Sequence, residues 1–338
     1  MKAYVLEGID KLVYKDVPTP ALSEGWVLLK VKAAGICSSD VPRIFKTGTY
    51  HFPTIPGHEF CGEVAEVFSE KDRELVGKRM GVFPLIPCKK CRYCESGHYE
   101  MCSDYNYLGS RCDGGFAEYV AVPKWNLLPL PSGVRFEQAA ILEPFAVGYH
   151  ATTAARLDQV KTAAVIGTGA IGLFIAMILQ SKGIEVTIIG RNEEKRTLAE
   201  KCGVMRYLDE SAEQSDEQYD LVFEAVGSNE SLLKAIGKTR SGGQIVLVGN
   251  PYSDMTLDKK TYWQILRRQL TLYGTWNSSY EFNAPSDWTA VLSLIREGVI
   301  DPSLVITRVF GQEELPDALS VMKNHTMPYG RMVVKFND

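Results

Sequence analysis

The pattern of apolar positions along this chain changes near residue 150. Before that point, short alternating segments (Lys2 to Leu6, Val27 to Ala33, Glu63 to Phe68, Phe116 to Val122) are separated by punctuation such as Pro18-Thr19-Pro20 and Asp113-Gly114-Gly115. Alternation with period two predicts strands, and the proline and glycine clusters predict the turns between them. Beyond it, short apolar runs (Ala163 to Ile166, Val186 to Ile189, Leu221 to Phe223, Ile245 to Val248) alternate with helical stretches such as Ile171 to Ser181 and Glu193 to Cys202. That alternation predicts a parallel sheet with crossover helices. After about Trp276 the regular pattern stops, and the tail predicts helices at Asp287 to Arg296 and Pro316 to Lys323 and a last strand at Met332 to Phe336. The expected class is α/β: a β-rich domain over 1–150, a doubly wound parallel-sheet domain over 151–276, and a C-terminal segment over 277–338.

Length agrees with this division, because 338 residues exceed what one core usually supports. The net charge of −4 argues against a general nucleic-acid surface, which needs clustered positive charge. The longest apolar run, Leu173 to Leu179, is too short to span a bilayer. Met1 to Glu7 alternates like a first strand and lacks the features of a signal peptide, so a cytoplasmic setting is expected. Disulfides are rare there, and eight cysteines therefore point to metal or redox chemistry.

Two groups of residues carry metal-ligand chemistry. In Ile55-Pro56-Gly57-His58-Glu59-Phe60-Cys61-Gly62 an imidazole and a carboxylate stand side by side where a loop feeds a strand. A lone His is more often an ordinary core or surface residue. With a thiolate, however, His58 and Glu59 would make a three-ligand zinc site with one position open, and Cys37, at the end of a predicted strand, is the natural partner. The second group, Cys88, Cys91, Cys94 and Cys102, is spaced C-x2-C-x2-C-x7-C in a loop-like basic segment. Four thiolates can close a tetrahedron around one Zn²⁺ and leave no position for substrate. An iron–sulfur cluster or a nucleic-acid-binding zinc ribbon competes with this reading, and the locality of the sulfurs and the acidic chain favour structural zinc. Cys61, Cys112 and Cys202 are isolated and read as small buried or surface thiols.

A dinucleotide turn follows. Gly167-Thr168-Gly169-Ala170-Ile171-Gly172 is G-x-G-x-x-G directly after a strand and opening a helix. Methyltransferases carry similar turns, but the strand–turn–helix context favours a pyrophosphate at the helix N-terminus. Ala170, Ile171, Asn192, Arg196 and the strand-end residues Val226, Gly227, Val248 and Gly249 join the expected cofactor site. Where an acid for the ribose 2′-hydroxyl should stand, this chain has Gly190, followed by Arg191. A small residue followed by a guanidinium leaves room for a 2′-phosphate, with Lys195 or Arg196 one turn along, so NADP(H) is favoured. In the alternative, Arg191 stacks on adenine in an NAD(H) enzyme.

With these pieces in place the whole chain resembles the zinc-dependent medium-chain dehydrogenase/reductase superfamily, in its polyol (sorbitol) dehydrogenase branch. The likeness rests on the Gly-His-Glu motif, Cys37-Ser38-Ser39-Asp40, the four-Cys lobe, Glu143-Pro144 and the Gly-rich turn. Ser39 to Lys46, Gly109 to Tyr119 and Ile265 to Thr271 are similar to the galactitol-1-phosphate 5-dehydrogenases. The resemblance implies a GroES-like β-rich catalytic domain split around a Rossmann domain. It further implies a catalytic zinc on Cys37, His58 and Glu59, with Glu143 as an alternating ligand, and a structural zinc on the four cysteines, two Zn²⁺ per chain. Cys37 and Glu59 already neutralise Zn²⁺, so Glu143 is expected to exchange with water or substrate. A buried, salt-bridged Glu143 is the plainer alternative. The implied reaction oxidises a secondary alcohol of a polyol or polyol phosphate, with proton release through Ser39 and hydride transfer to nicotinamide in the interdomain cleft. Ser38 replaces the family's usual Gly in this turn, which would narrow the pocket or alter access to the metal. Arg43 and Lys46, three apart, share a face if that stretch is helical and would then meet a substrate phosphate; a solvated face is the ordinary reading. The expected partners are small molecules, with no nucleic acid, no membrane and a homo-oligomer (dimer or tetramer). A non-catalytic cofactor-binding redox sensor is the rival class, and the complete set of Cys37, Ser39, His58, Glu59 and Glu143 argues against it.

Overall fold

The alternating segments of the first part of the chain form antiparallel strands. In the computed structural model, which describes residues 1–211 and 215–336, β1 (Lys2–Gly8) pairs with β2 (Lys11–Asp16). A larger sheet is built on β3 (Trp26–Ile36), whose Val27, Leu29 and Val31 are buried. It pairs with β4 (Glu59–Val67), and β4 with β5 (Arg79–Val82). β6 (Leu85–Ile86) and β7 (Asn106–Tyr107) form a separate short ladder. β8 (Tyr119–Pro123) lies against β3, and β9 (Leu127–Pro129) against β5. Burying each aliphatic or aromatic side chain of such a core stabilises by about 1.5–3 kcal/mol. β4 begins at Glu59, four positions before the Glu63 that alternation predicts. Its first four residues are all buried, which erases the period-two signal.

The middle of the chain is a six-stranded parallel sheet of β10 (Thr162–Ile166), β11 (Glu185–Gly190), β12 (Arg206–Asp209), β13 (Tyr219–Glu224), β14 (Thr239–Leu247) and β15 (Thr271–Gly274). The order β12-β11-β10-β13-β14-β15 is that of a doubly wound dinucleotide-binding fold, with the reversal between β10 and β13. The helix Ala170–Ser181 starts inside the Gly-rich turn and buries nine of its twelve residues, which is why it reads as an apolar run. The helix Leu142–Ala154 has no amphipathic period and no counterpart in the sequence expectation. β12 and β15 have only four residues each, too few to show a period, and the sequence expectation does not include them either.

The tail returns to the first sheet. β16 (Ile306–Gly311) runs parallel to β17 (Arg331–Lys335), and β17 lies antiparallel to β3 with Met332 opposite Ile36. The chain thus divides into two compact units, Met1–Glu143 with Ser279–Asp338, and Pro144–Ser278. Among the described residues, no helix is long and apolar enough to cross a membrane.

Candidate active site and cofactor cleft

Antiparallel pairing brings the dispersed ligands together. β3 ends at Ile36, one residue before Cys37, and β4 begins at Glu59, one residue after His58. Gly35 stands opposite Glu59 in the register, so the thiol, the imidazole and the carboxylate meet at one end of the strand pair. Their ligand atoms lie within 4.8 Å of one another. Gly35 is needed there: a Cβ on it would sit 2.4 Å from Glu59 Oε2 and 3.1 Å from the Ala140 carbonyl oxygen. His58 Nδ1 and both carboxylate oxygens of Glu59 are buried without a hydrogen bond. Buried carboxylate oxygens are costly unless a cation or donor meets them; an arginine reaches only Oε1, Oε2 has no such partner, and the thiolate–imidazole–carboxylate set is one that suits zinc.

A ring of charge surrounds the cluster. Asp40 is fully buried; its Oδ2 accepts the Cys37 backbone N–H at 3.0 Å, and its Oδ1 lies 3.2 Å from Arg43 Nη1 and 3.4 Å from His58 Nδ1. This leaves His58 Nε2 on the side of Glu59, 4.0 Å from Oε1. Orientation of a ligating histidine by a carboxylate on its other nitrogen is a general feature of metal sites. Arg331, also buried, donates through Nη1 to the Ile36 carbonyl at 3.0 Å and places Nη2 3.3 Å from Glu59 Oε1. Burial opposes charge on His58, yet Asp40 and Cys37 outweigh it and hold its pKa well above the ordinary value. Burial likewise opposes the Cys37 thiolate, but His58 and Arg331 bring its pKa well down. For Glu59 and Glu143 burial dominates, and both carboxyls are raised.

The remaining expected residues take distinct places. Ser39 Oγ donates to Cys37 Sγ at 3.3 Å. Glu143 is buried but stands outside the 4.8 Å cluster; its Oε1 accepts from the Tyr107 hydroxyl at 3.3 Å. Arg43 is bound to Asp40, while Lys46 is exposed. Both fall on a π-helical turn, Arg43–Thr47, and its wider i→i+5 winding rotates positions three apart away from a shared face. Sequence reasoning missed the roles of Asp40, Arg331 and Tyr107. Asp40 had a signal, since a carboxylate three residues past Cys37 can close a turn on its N–H. The other two arrive through tertiary pairing alone.

The four cysteines form a second cluster in the loop between β6 and β7. Cys91 Sγ is 3.6 Å from Cys94 Sγ and 4.0 Å from Cys102 Sγ, Cys88 Sγ is 4.0 Å from Cys94 Sγ, and the Cys88 N–H donates to Cys102 Sγ at 3.3 Å. Backbone N–H groups of Cys94 and Ser103 bring the Cys91 thiol down to about 5, and burial pushes Cys94 up to about 12. Four convergent sulfurs with backbone donors aimed at them fit one tetrahedral metal. β7, which closes the base of this lobe, also supplies Tyr107, whose ring packs 5.8 Å from that of His58. Of the isolated thiols, Cys61 and Cys202 are buried and Cys112 is half-buried; burial raises all three.

In the other unit the Gly-rich turn lines a cleft of about 280 Å³ with Val226, Arg191, Asn192, Lys195, Glu210 and Lys234. Gly167 has φ +111°, and a Cβ on Gly172 would lie 2.2 Å from the Gly167 carbonyl oxygen, whereas Gly169 has nothing within 4 Å of its Cβ position. A tight turn, close helix packing and one open backbone approach are what a pyrophosphate needs, and Ala170 and Ile171 open the helix whose first N–H groups would face it. Asn192 caps the next helix, accepting from the Lys195 N–H at 2.8 Å. Arg196 lies outside the cleft lining, paired with Glu193 at 2.9 Å and set over the Tyr207 ring. The Val226 and Gly227 N–H groups both donate to Glu224 Oε1 at 2.8 Å. Val248 and Gly249 line a neighbouring cleft of about 260 Å³ with Thr275 and Trp276.

Comparison with known proteins places this geometry. Residues 23–132 match the model of the alcohol dehydrogenase GroES-like domain, and residues 170–297 that of the zinc-binding dehydrogenase domain. The chain is 33% identical over 313 residues to galactitol 1-phosphate 5-dehydrogenase of Escherichia coli K12, covering 89% of this chain and 90% of that protein. It is 28% identical over 334 residues to sorbitol dehydrogenase of Bacillus subtilis, covering 94% and 92%. The crystal structure of galactitol-1-phosphate dehydrogenase from Escherichia coli superposes with a TM-score of 0.91 at 31% identity, over 99% of this chain and 100% of that one. Likeness along the full length, in sequence and in both folds, means that this chain belongs to the polyol dehydrogenase branch of the zinc-dependent medium-chain dehydrogenase/reductase superfamily and is an NAD(P)-dependent oxidoreductase acting on CH–OH groups.

Proposed function

We propose that the enzyme interconverts a secondary alcohol of a polyol or polyol phosphate and the corresponding ketone, with Cys37, His58 and Glu59 holding the catalytic zinc and the four-cysteine lobe a structural one. The observation that carries this reading is the meeting of three ligand atoms within 4.8 Å inside a buried shell of compensating charge. When bound, zinc lowers the pKa of a substrate hydroxyl and nicotinamide takes up the hydride. The chain's own residues then have separable tasks. Asp40 fixes the His58 ring, and Arg331 offsets the Glu59 charge. Ser39, adjacent to Cys37 Sγ, is positioned to take the substrate's proton. Glu143, buried, bonded by Tyr107 and outside the three-ligand cluster, suits an exchanging partner rather than a permanent ligand.

NADP(H) is the favoured cofactor, supported by Gly190 and by the cations Arg191, Lys195 and Lys234 in the cleft lining. Of the two cations expected at the substrate, Arg43 is engaged with Asp40, which leaves Lys46 of that pair to meet a substrate phosphate. A homo-oligomer is supported by the largely exposed edge strand β15 and by Tyr262, Trp263 and Leu266, exposed on one helix of the same unit. Reduced-nicotinamide absorbance against a panel of polyols, polyol phosphates and ketoses, with both cofactors, tests the reading. Turnover of a polyol or its phosphate is expected; silence throughout, with zinc loaded and cofactor bound, would instead favour a non-catalytic sensor.

A further inference from the structure

The acid that the dinucleotide fingerprint lacks at Gly190 is present one strand away. β11 and β12 pair in register, with Gly190 opposite Asp209, and the Glu210 N–H donates to the Gly190 carbonyl at 2.9 Å. Glu210 thereby enters the lining of the same cleft as Arg191, Lys195 and Lys234, with its side chain only 15% exposed. Its Oε1 accepts from Arg191 Nε at 2.6 Å, and its Oε2 pairs with Lys234. Glu230, 66% exposed, takes the Arg191 Nη2 at 2.7 Å.

Gly190 itself is not a free choice. A Cβ there would lie 2.1 Å from the Tyr207 hydroxyl and 2.5 Å from Thr168 Oγ1. The Tyr207 hydroxyl also donates to the Asn192 carbonyl at 3.0 Å, so it is fixed where the usual acid would stand. The small residue at the end of β11 is therefore imposed by packing as well as suited to phosphate.

We infer that Glu210 sets the cofactor preference of this enzyme, as a resident carboxylate beside the ribose 2′ position that holds Arg191 and Lys234 and competes with a 2′-phosphate for them. A neutral 2′-hydroxyl can donate to this carboxylate, whereas a phosphate must displace it from its two cations and is repelled by it. The inference rests on reading this cleft as the adenosine end of the dinucleotide site. It means that the cationic lining, taken alone, overstates the preference for NADP(H).

The test is calorimetric titration of the full-length protein with adenosine 2′,5′-bisphosphate and with 5′-AMP, read as the ratio of their affinities. Glu210→Gln keeps the shape, leaves Arg191 and Lys234 unopposed by Glu210, and should raise the preference for the bisphosphate about tenfold. Glu230→Gln, on the exposed side of Arg191, should raise it less. Arg191→Ala should lower it. A ratio unchanged or reduced in Glu210→Gln overturns the inference; if Arg191→Ala still lowers the ratio, the phosphate reading of Arg191 stands without it. Conversely, a wild type that shows no preference for the bisphosphate, and loses nothing in Arg191→Ala, overturns the NADP(H) reading. A raised ratio in Glu210→Gln would sustain the role of Glu210 even then.

Discussion

The four-cysteine lobe and the Cys37–His58–Glu59 cluster both gather metal-ligating atoms, but by opposite means. The lobe draws all four from one loop, and its sulfurs are met chiefly by backbone N–H groups. The other cluster takes its ligands from the ends of two strands and is enclosed by Asp40, Glu143 and two arginines. A structural metal needs only a full set of ligands, since its free energy of binding is spent on folding. A reactive one needs an open position and a surrounding charge that fixes its acidity, and that charge must be buried to act strongly.

The sharpest way to break this comparison is to remove one ligand from each side. Cys37→Ala should lower kcat/KM by about 10³-fold or more, because the metal's contribution to the transition state is worth several kcal/mol, while Tm changes little. Cys94→Ser should do the reverse, costing about 3 kcal/mol or more of stability, roughly 6–12 °C in Tm, with near-normal kcat in the folded fraction. Thermal unfolding alongside steady-state kinetics checks both, and a selective loss of turnover in Cys94→Ser would erase the distinction.

Smaller changes test the charged shell that only one cluster has. Arg43→Ala removes a charge-assisted contact to a buried carboxylate, worth about 1.5–3 kcal/mol, and should reduce kcat for phosphorylated and unphosphorylated polyols alike. If KM for phosphorylated substrates alone rises, Arg43 serves the substrate rather than Asp40. Tyr107→Phe removes one neutral-donor bond to Glu143 and should cost about two- to tenfold in kcat, without altering the zinc content of the lobe.

The same contrast explains how much the sequence could tell. The lobe and the Gly-rich turn are local, so their spacing carries their chemistry. His58 and Glu59 were legible as a pair because they are adjacent in a glycine-bounded turn, and Cys37 as their partner because a thiolate completes the ligand set; alternation ended one strand at Ala33 and began the other at Glu63, short of both. Arg331 and Tyr107 were not, since nothing in their neighbourhood marks them. Arg331 reaches Glu59 only because β17 pairs with β3, and Tyr107 reaches Glu143 from the base of the lobe. Glu210 was invisible for a related reason: β12 is too short and polar to read as a strand, so its register beside Gly190 cannot be foreseen. Arg43 and Lys46 were placed on a common face by assuming α-helical winding, and the π-helical turn separates them.

The central claim is that two metals sit in two unlike sites, only one of them made by Cys37, His58 and Glu59. Its most direct test is the zinc content per chain of the purified wild type and of His58→Ala, measured by mass spectrometry on protein that still binds reduced nicotinamide cofactor. The account predicts two zincs in the wild type and one in the variant, with turnover abolished and cofactor binding intact. Two zincs per chain in an active His58→Ala would contradict it.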